Sequence, residues 1–133
     1  MTVIHSDEYS DLVFDVQGVV SISMRGCATD TQWRTLRCAL VALYTRLSDE
    51  DQRFYIVCDM TLVDLTLSQI CSMIVLMREL RPILKRLNQG TRLIMSSQSK
   101  RFIELLLTLY TPDGPLEVVS TTDVYHCSSQ IDF

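Results

Sequence analysis

The chain has 133 residues, enough for a single domain with its own core; folding at this size buries roughly two-thirds of the surface the unfolded chain exposes. With 47% hydrophobic and 21% charged residues, four Gly and three Pro, the composition excludes disordered, collagen-like and low-complexity classes. Sixteen acidic residues against twelve basic ones give a formal net charge of -4, which removes the bulk positive field that nucleic-acid binding uses.

Leu12–Val16 and Val19–Met24 are short and β-branched, and Gln17-Gly18 between them predicts a hairpin turn. Leu12–Val16 is assigned to a sheet edge open to pairing between copies, and His5 to a frayed terminus. Arg25-Gly26 closes the second strand, and Asp30 or Thr31 caps a helix over 32–47. In that helix Trp33, Leu36, Leu40, Leu43, Tyr44 and Leu47 recur at spacings of three and four, which makes one buried stripe.

The run Phe54–Cys58, ending at Asp59, reads as a strand buried on both faces, with helices on each side of the sheet. A long helix over 65–87 follows, capped by Asp64 or Thr66, with Pro82 expected to kink or split it near Leu80-Arg81. Gly90 is expected in the left-handed position after the helix end. Thr91–Met95 is a further strand, Ser97 caps a helix over 99–109, Leu116–Val119 is the last strand, and Thr121 to Asp123 starts a short helix or turn. The expected architecture is α/β, one domain over 1–133 with its core at about 12–131: a single mixed sheet flanked by helices in the order β-β-α-β-α-β-α-β-α.

Five cysteines (Cys27, Cys38, Cys58, Cys71, Cys127) are an odd set without a CxxC pair, unlike a secreted disulfide framework. Four of them sit among apolar neighbours and read as small reduced core side chains. The N-terminus lacks the cationic and apolar segments of a signal peptide, and the apolar run Met73–Met77 stops at Arg78, far short of the about 20 residues that span a bilayer. A cytoplasmic location with reduced cysteines is the expectation.

Three stretches, in this order and spacing, resemble a STAS domain, the small fold of anti-sigma factor antagonists and sulfate-transporter tails. Ser23-Met-Arg-Gly26, with Asp30 and Trp33 behind it, resembles the family's strand ending in Gly before the first helix. Tyr55–Asp64 resembles the strand that runs to an acidic residue at the head of the second helix, and Ser96–Phe102 the loop and helix start after the next strand. The resemblance covers about Val19 to Ile131 and implies a non-enzymatic, stand-alone regulatory module that docks a protein partner. The family's antagonists carry a phosphorylatable serine directly after that acidic residue. Here Leu65 follows Asp64, so the switch position holds a leucine, which departs from the family's serine switch and leaves Thr66 and Ser68 as the phosphosite candidates.

Asp64, Thr66 and Ser68 stand where a helix N-terminus offers free N–H groups and a partial positive charge, either capping their own helix or meeting a partner. Ser97, Ser99, Lys100 and Arg101 place small polar side chains and two cations at another helix start, but without the glycines of a phosphate cradle. Both groups are assigned to partner binding. Arg78, Arg81, Lys85 and Arg86 form a basic cluster suited to an acidic partner, or a solvated face partly paired with Glu79. Leu65, Leu67, Ile70, Met73, Ile74 and Met77 cover more than one helical stripe; any exposed surplus would mark a partner surface. His5 and His126 have no partner at ligand spacing and no nucleophile–base pair is evident, so neither a metal, a cofactor nor an active site is assigned. The alternative to partner docking is a carrier or sensor with a lipid or nucleotide-like ligand between sheet and helices.

Overall fold

Three strands open the chain: β1 (Thr2–Ser6), β2 (Ser10–Asp15) and β3 (Val19–Gly26). They are followed by α1 (Asp30–Asp49), β4 (Phe54–Val63), α2 (Leu67–Leu87), β5 (Asn88–Met95), α3 (Lys100–Leu109) and β6 (Leu116–Ser120). The computed structural model describes residues 1–97, 100–110 and 114–120. The turn expected at Thr121 to Asp123, and His126 and Cys127, lie outside these residues.

The six strands form one mixed sheet in the order of the sequence, β1-β2-β3-β4-β5-β6. β1, β2 and β3 pair antiparallel, and β3 to β6 pair parallel. Each parallel connection therefore steps the same way across the sheet, and right-handed crossovers then place all three helices on one face. Register and burial agree. Val20, Ile56, Cys58 and Leu93 share a face and join Leu36 of α1, Met73 and Leu76 of α2 and Ile103 of α3 in one buried cluster. The expectation of helices on both faces is corrected accordingly. β4 is not buried on both sides: Phe54, Ile56, Cys58 and Met60 are buried, while Tyr55, Val57 and Asp59 on the opposite face are half-buried.

That alternation also explains the length of β4. Asp59 and Thr61 are polar because they lie on the less covered face, so Asp59 does not end the strand; it continues to Val63, paired with Gly26. At the other end of the chain, β1 was missed. Val3 pairs with Val13 and His5 with Leu12, so β1 rather than Leu12–Val16 occupies the sheet edge. His5 is held in the strand, its Nε2 3.1 Å from Asp7 Oδ2.

The β2–β3 turn falls where Gln17-Gly18 predicts it. Gly18 has φ +90, donates its N–H to Asp15 at 2.8 Å, and a Cβ there would meet the Arg53 carbonyl at 3.2 Å. The cap of α1 is Thr29, not Asp30 or Thr31. Its hydroxyl accepts from the Gln32 N–H and the Gln32 side chain accepts from its own N–H, the reciprocal Thr-x-x-Gln box. α2 runs unbroken through Pro82; both Pro82 and Arg78, whose carbonyl loses its donor, are exposed residues. Gly90 lies buried inside β5 without a positive φ; Asn88 caps α2 and β5 begins at that same residue.

Candidate functional site: the head of the second helix

β4 delivers the chain to Asp64, whose N–H donates to the Gly26 carbonyl at 2.9 Å. Leu65 then tucks into the core, and Thr66 caps α2, its hydroxyl accepting from the Gln69 N–H at 3.1 Å. Of the two capping candidates, Thr66 holds the position. Asp64 is exposed, and its carboxylate has no hydrogen bond or ion pair among the described residues. Thr66 and Ser68 are exposed as well.

The apolar residues of α2 exceed one stripe because the helix has two buried neighbours. Met73, Leu76 and Leu80 pack in the main core, whereas Ile70 and Ile74 pack on Leu106 and Tyr110 at and beyond the end of α3. A third, outward line remains. Leu67, Cys71 and Val75 recur every four residues; Leu67 and Val75 are 62% and 53% exposed, and Leu62 at the end of β4 is 69% exposed. Ser68, Cys71, Ser72 and Val75 line a shallow groove against Trp33 and Arg37 of α1. Arg37 pairs with Glu79, tying the two helices together below it. Cys71 and Val75 are functional candidates that the sequence reading missed; their signal is the four-residue step from Leu67.

β5 pairs with β4 through Met95 and Met60, both pointing the same way, so the Ser97 turn stands at the same end of the sheet as the Asp64 turn. The two are not flush. β4 runs on past Met60 and pairs with Arg25 and Gly26 of β3 instead, so the nearest strand end to Asp64 is Gly26. The strand order never reverses between β3 and β6, so no switch-point crevice opens; this end is a rim rather than a cleft. Ser97, Lys100 and Arg101 are exposed, and Ser99 lies outside the described residues.

The basic residues do not form one patch. They occupy the distal half of α2, a dozen or more positions from its cap, which is roughly 18 Å or more at 1.5 Å per residue. Arg86 pairs with Asp51 and donates to Ser48 Oγ at 2.8 Å, fastening α2 to the end of α1. Arg81 is engaged, Arg78 and Lys85 are exposed, and Glu79 pairs with Arg37 rather than with the cluster.

Cys58 is the one described cysteine in the core, its thiol pushed up to about 12 by burial and then by the nearby Asp59 carboxylate. Cys38 and Cys71 are exposed on outward sides of α1 and α2, and Cys27 is exposed in the connection between β3 and α1; the expectation that four of the five are core residues is corrected. Among the described residues no three His, Cys, Asp or Glu side chains converge as a metal site, and no helix is long and apolar enough to cross a membrane.

No family model matches the chain, and no curated protein matches it. Among solved structures it is similar to a chain in the crystal structure of the diguanylate cyclase SiaD in complex with its activator SiaC from Pseudomonas aeruginosa. The likeness covers 87% of this chain and 95% of that one, with a TM-score of 0.61 and 15% identity. At that identity it is a likeness of fold. The architecture is a mixed α/β fold, a six-stranded sheet flanked by helices, consistent with a STAS-like fold.

Proposed function

We propose that this chain is a non-enzymatic regulatory module that acts by docking a protein partner at the head of α2. The observation that carries this is the line Leu67, Cys71 and Val75, exposed on a helix whose other two sides are buried, with the exposed Asp64 just before the helix cap. Exposed apolar side chains grouped beside polar ones are the usual composition of a partner surface. The similar structure adds support at the level of fold: the matched chain is of about this length, and the activator in that complex works by binding another protein.

In this proposal Asp64, Thr66 and Ser68 form the polar rim of the contact, and Ser97, Ser99, Lys100 and Arg101 extend it across the same end of the sheet. Thr66 and Ser68 are the phosphorylation positions. A phosphate in the first turn suits the helix itself, which favours negative charge there, but sets roughly two extra negative charges beside Asp64. Phosphorylation would therefore change the charge of the contact without unfolding the domain, repelling an acidic group of the partner and attracting a basic one. The exposed, unpaired thiols of Cys27, Cys38 and Cys71 fit a reducing compartment, so the proposed location is the cytoplasm.

A lipid or nucleotide carrier fits less well. The cavity between sheet and helices is about 150 Å³, below the roughly 300–1,000 Å³ of ordinary ligand pockets, and no charged residue among those described borders it to receive a phosphate.

The test is capture from cells that naturally express the chain, with Asp64→Lys and a distant Leu109→Asp as the paired variants. A partner held by the wild type and by Leu109→Asp but lost by Asp64→Lys supports docking at the head of α2. A partner retained equally by all three places the contact elsewhere.

A further inference from the structure

A cavity of about 150 Å³ lies between the sheet and the three helices. On the sheet side it exists because β4 presents Cys58, a small side chain, between Ile56 and Met60, with Thr91 of β5 in register beside Ile56. Four methionines reach its wall, Met24 of β3 and Met60 of β4 from the sheet and Met73 and Met77 from α2.

Its chemistry is one-sided. Among the described residues no Asp, Glu, Lys, Arg or His borders it. Two of its polar side chains are already engaged with each other and with main chain: Asn88 Nδ2 donates to Thr91 Oγ1 at 2.9 Å, and Asn88 Oδ1 accepts from the Gly90 N–H at 3.1 Å. A buried water needs two to four polar partners, which this wall does not present. An ionised ligand would lose its hydration with no opposite charge to replace it. An uncharged apolar molecule meets neither obstacle, and a space of this size, bordered in part by the half-buried Ile22, Trp33 and Leu84, has room for a molecule the size of benzene.

We propose that this cavity is a binding site for a small, uncharged, apolar molecule of about one ring. The four methionines suit that ligand in two ways. Their unbranched side chains change rotamer readily, which lets a guest enter a core that is otherwise close-packed, and their sulfurs make favourable contacts with aromatic ring edges. The site is independent of partner docking: it lies on the sheet side of α2, not at the helix head.

The chain supplies its own reporters, because its six methionines divide into those four at the wall and two, Met1 and Met95, that do not border the cavity. The experiment is a benzene titration of protein labelled with carbon-13 in the methionine ε-methyl groups. The expected result is saturable shifts at Met24, Met60, Met73 and Met77, with Met1 unmoved. Cys58→Leu, which fills the space from the sheet side, should abolish the shifts while its methyl signals stay dispersed as in a folded protein. If Cys58→Leu does not fold, the wild-type titration decides alone. No saturable shift at the four wall methyls up to the solubility of benzene would overturn the proposal. So would an equal drift at Met1, or unchanged binding by folded Cys58→Leu.

Discussion

The Asp64 N–H donates to the Gly26 carbonyl at 2.9 Å, so the turn leading into α2 is tied to the end of β3 rather than to β5. Gly26 holds this carbonyl in place from a left-handed backbone, φ +62, with nothing within 4 Å of where a Cβ would stand. Gly26→Ala therefore carries a backbone cost without a clash, about 1 kcal/mol. Gly26→Asn should cost less, since Asn adopts this conformation more readily. Urea denaturation of the three proteins checks the order.

Thr66 and Thr29 cap α2 and α1 through the same bond, a hydroxyl accepting from the third N–H of the helix. Thr66→Ala and Thr29→Ala should each remove about 1 kcal/mol, and Thr66→Ser should restore most of the α2 loss. The two caps share no partner, so the double variant should lose the sum to within about 0.5 kcal/mol. Chemical denaturation measures all of these.

Arg25 Nη1 lies 2.7 Å from Asp11 Oδ2, and Arg25 Nη2 donates to the Asp7 carbonyl at 2.8 Å. The hydrogen bond from Arg25, followed by that from Ser6, holds the Asp11 carboxyl below its ordinary value. A carboxyl lowered on folding stabilises the native state above its unfolded value of about 4, and that contribution is lost as pH falls through the folded value. Asp11→Asn should thus be less stable than wild type at neutral pH, with the difference shrinking below about pH 4. Both side chains are about one-third exposed, so the difference is small and salt weakens it. Thermal unfolding against pH, at low and high salt, is the check.

Cysteine reactivity should separate by position. Cys27, Cys38 and Cys71 are exposed, whereas the Cys58 thiol is buried and pushed up to about 12, so little thiolate forms at neutral pH. Under native conditions iodoacetamide should label the first three and spare Cys58 until denaturant is added. Mass mapping of the labelled peptides reads each site separately.

The parts legible in the sequence were those with a local cause. The Gly18 turn, the stripe of α1, the Thr66 cap and the succession of strands and helices from β2 to β6 along the chain follow from residue types and periods within one segment. What escaped depends on contacts between distant segments. β1 is a short strand with no strong period of its own, fixed by pairing with β2. Phe54–Cys58 looked buried on both faces because Tyr55 and Val57 are apolar, and the strand order, set by three crossovers, decides that one face is left half-open. At the candidate site, Asp64, Thr66 and Ser68 were found from the helix start. Cys71 and Val75 were not, because their exposure depends on where α1 and α3 leave α2 uncovered. The sequence spacing of Arg78, Arg81, Lys85 and Arg86 gave no sign that Arg86 turns to Asp51.

The most direct measurement is the affinity of a captured partner for wild type, Leu67→Asp and Val75→Asp by titration calorimetry, with circular dichroism to confirm the fold. A buried apolar anchor is worth about 2 kcal/mol or more, so docking at the head of α2 predicts at least about thirtyfold weaker binding for Leu67→Asp, and a loss of the same sign for Val75→Asp. Folded variants that bind with wild-type affinity would contradict it.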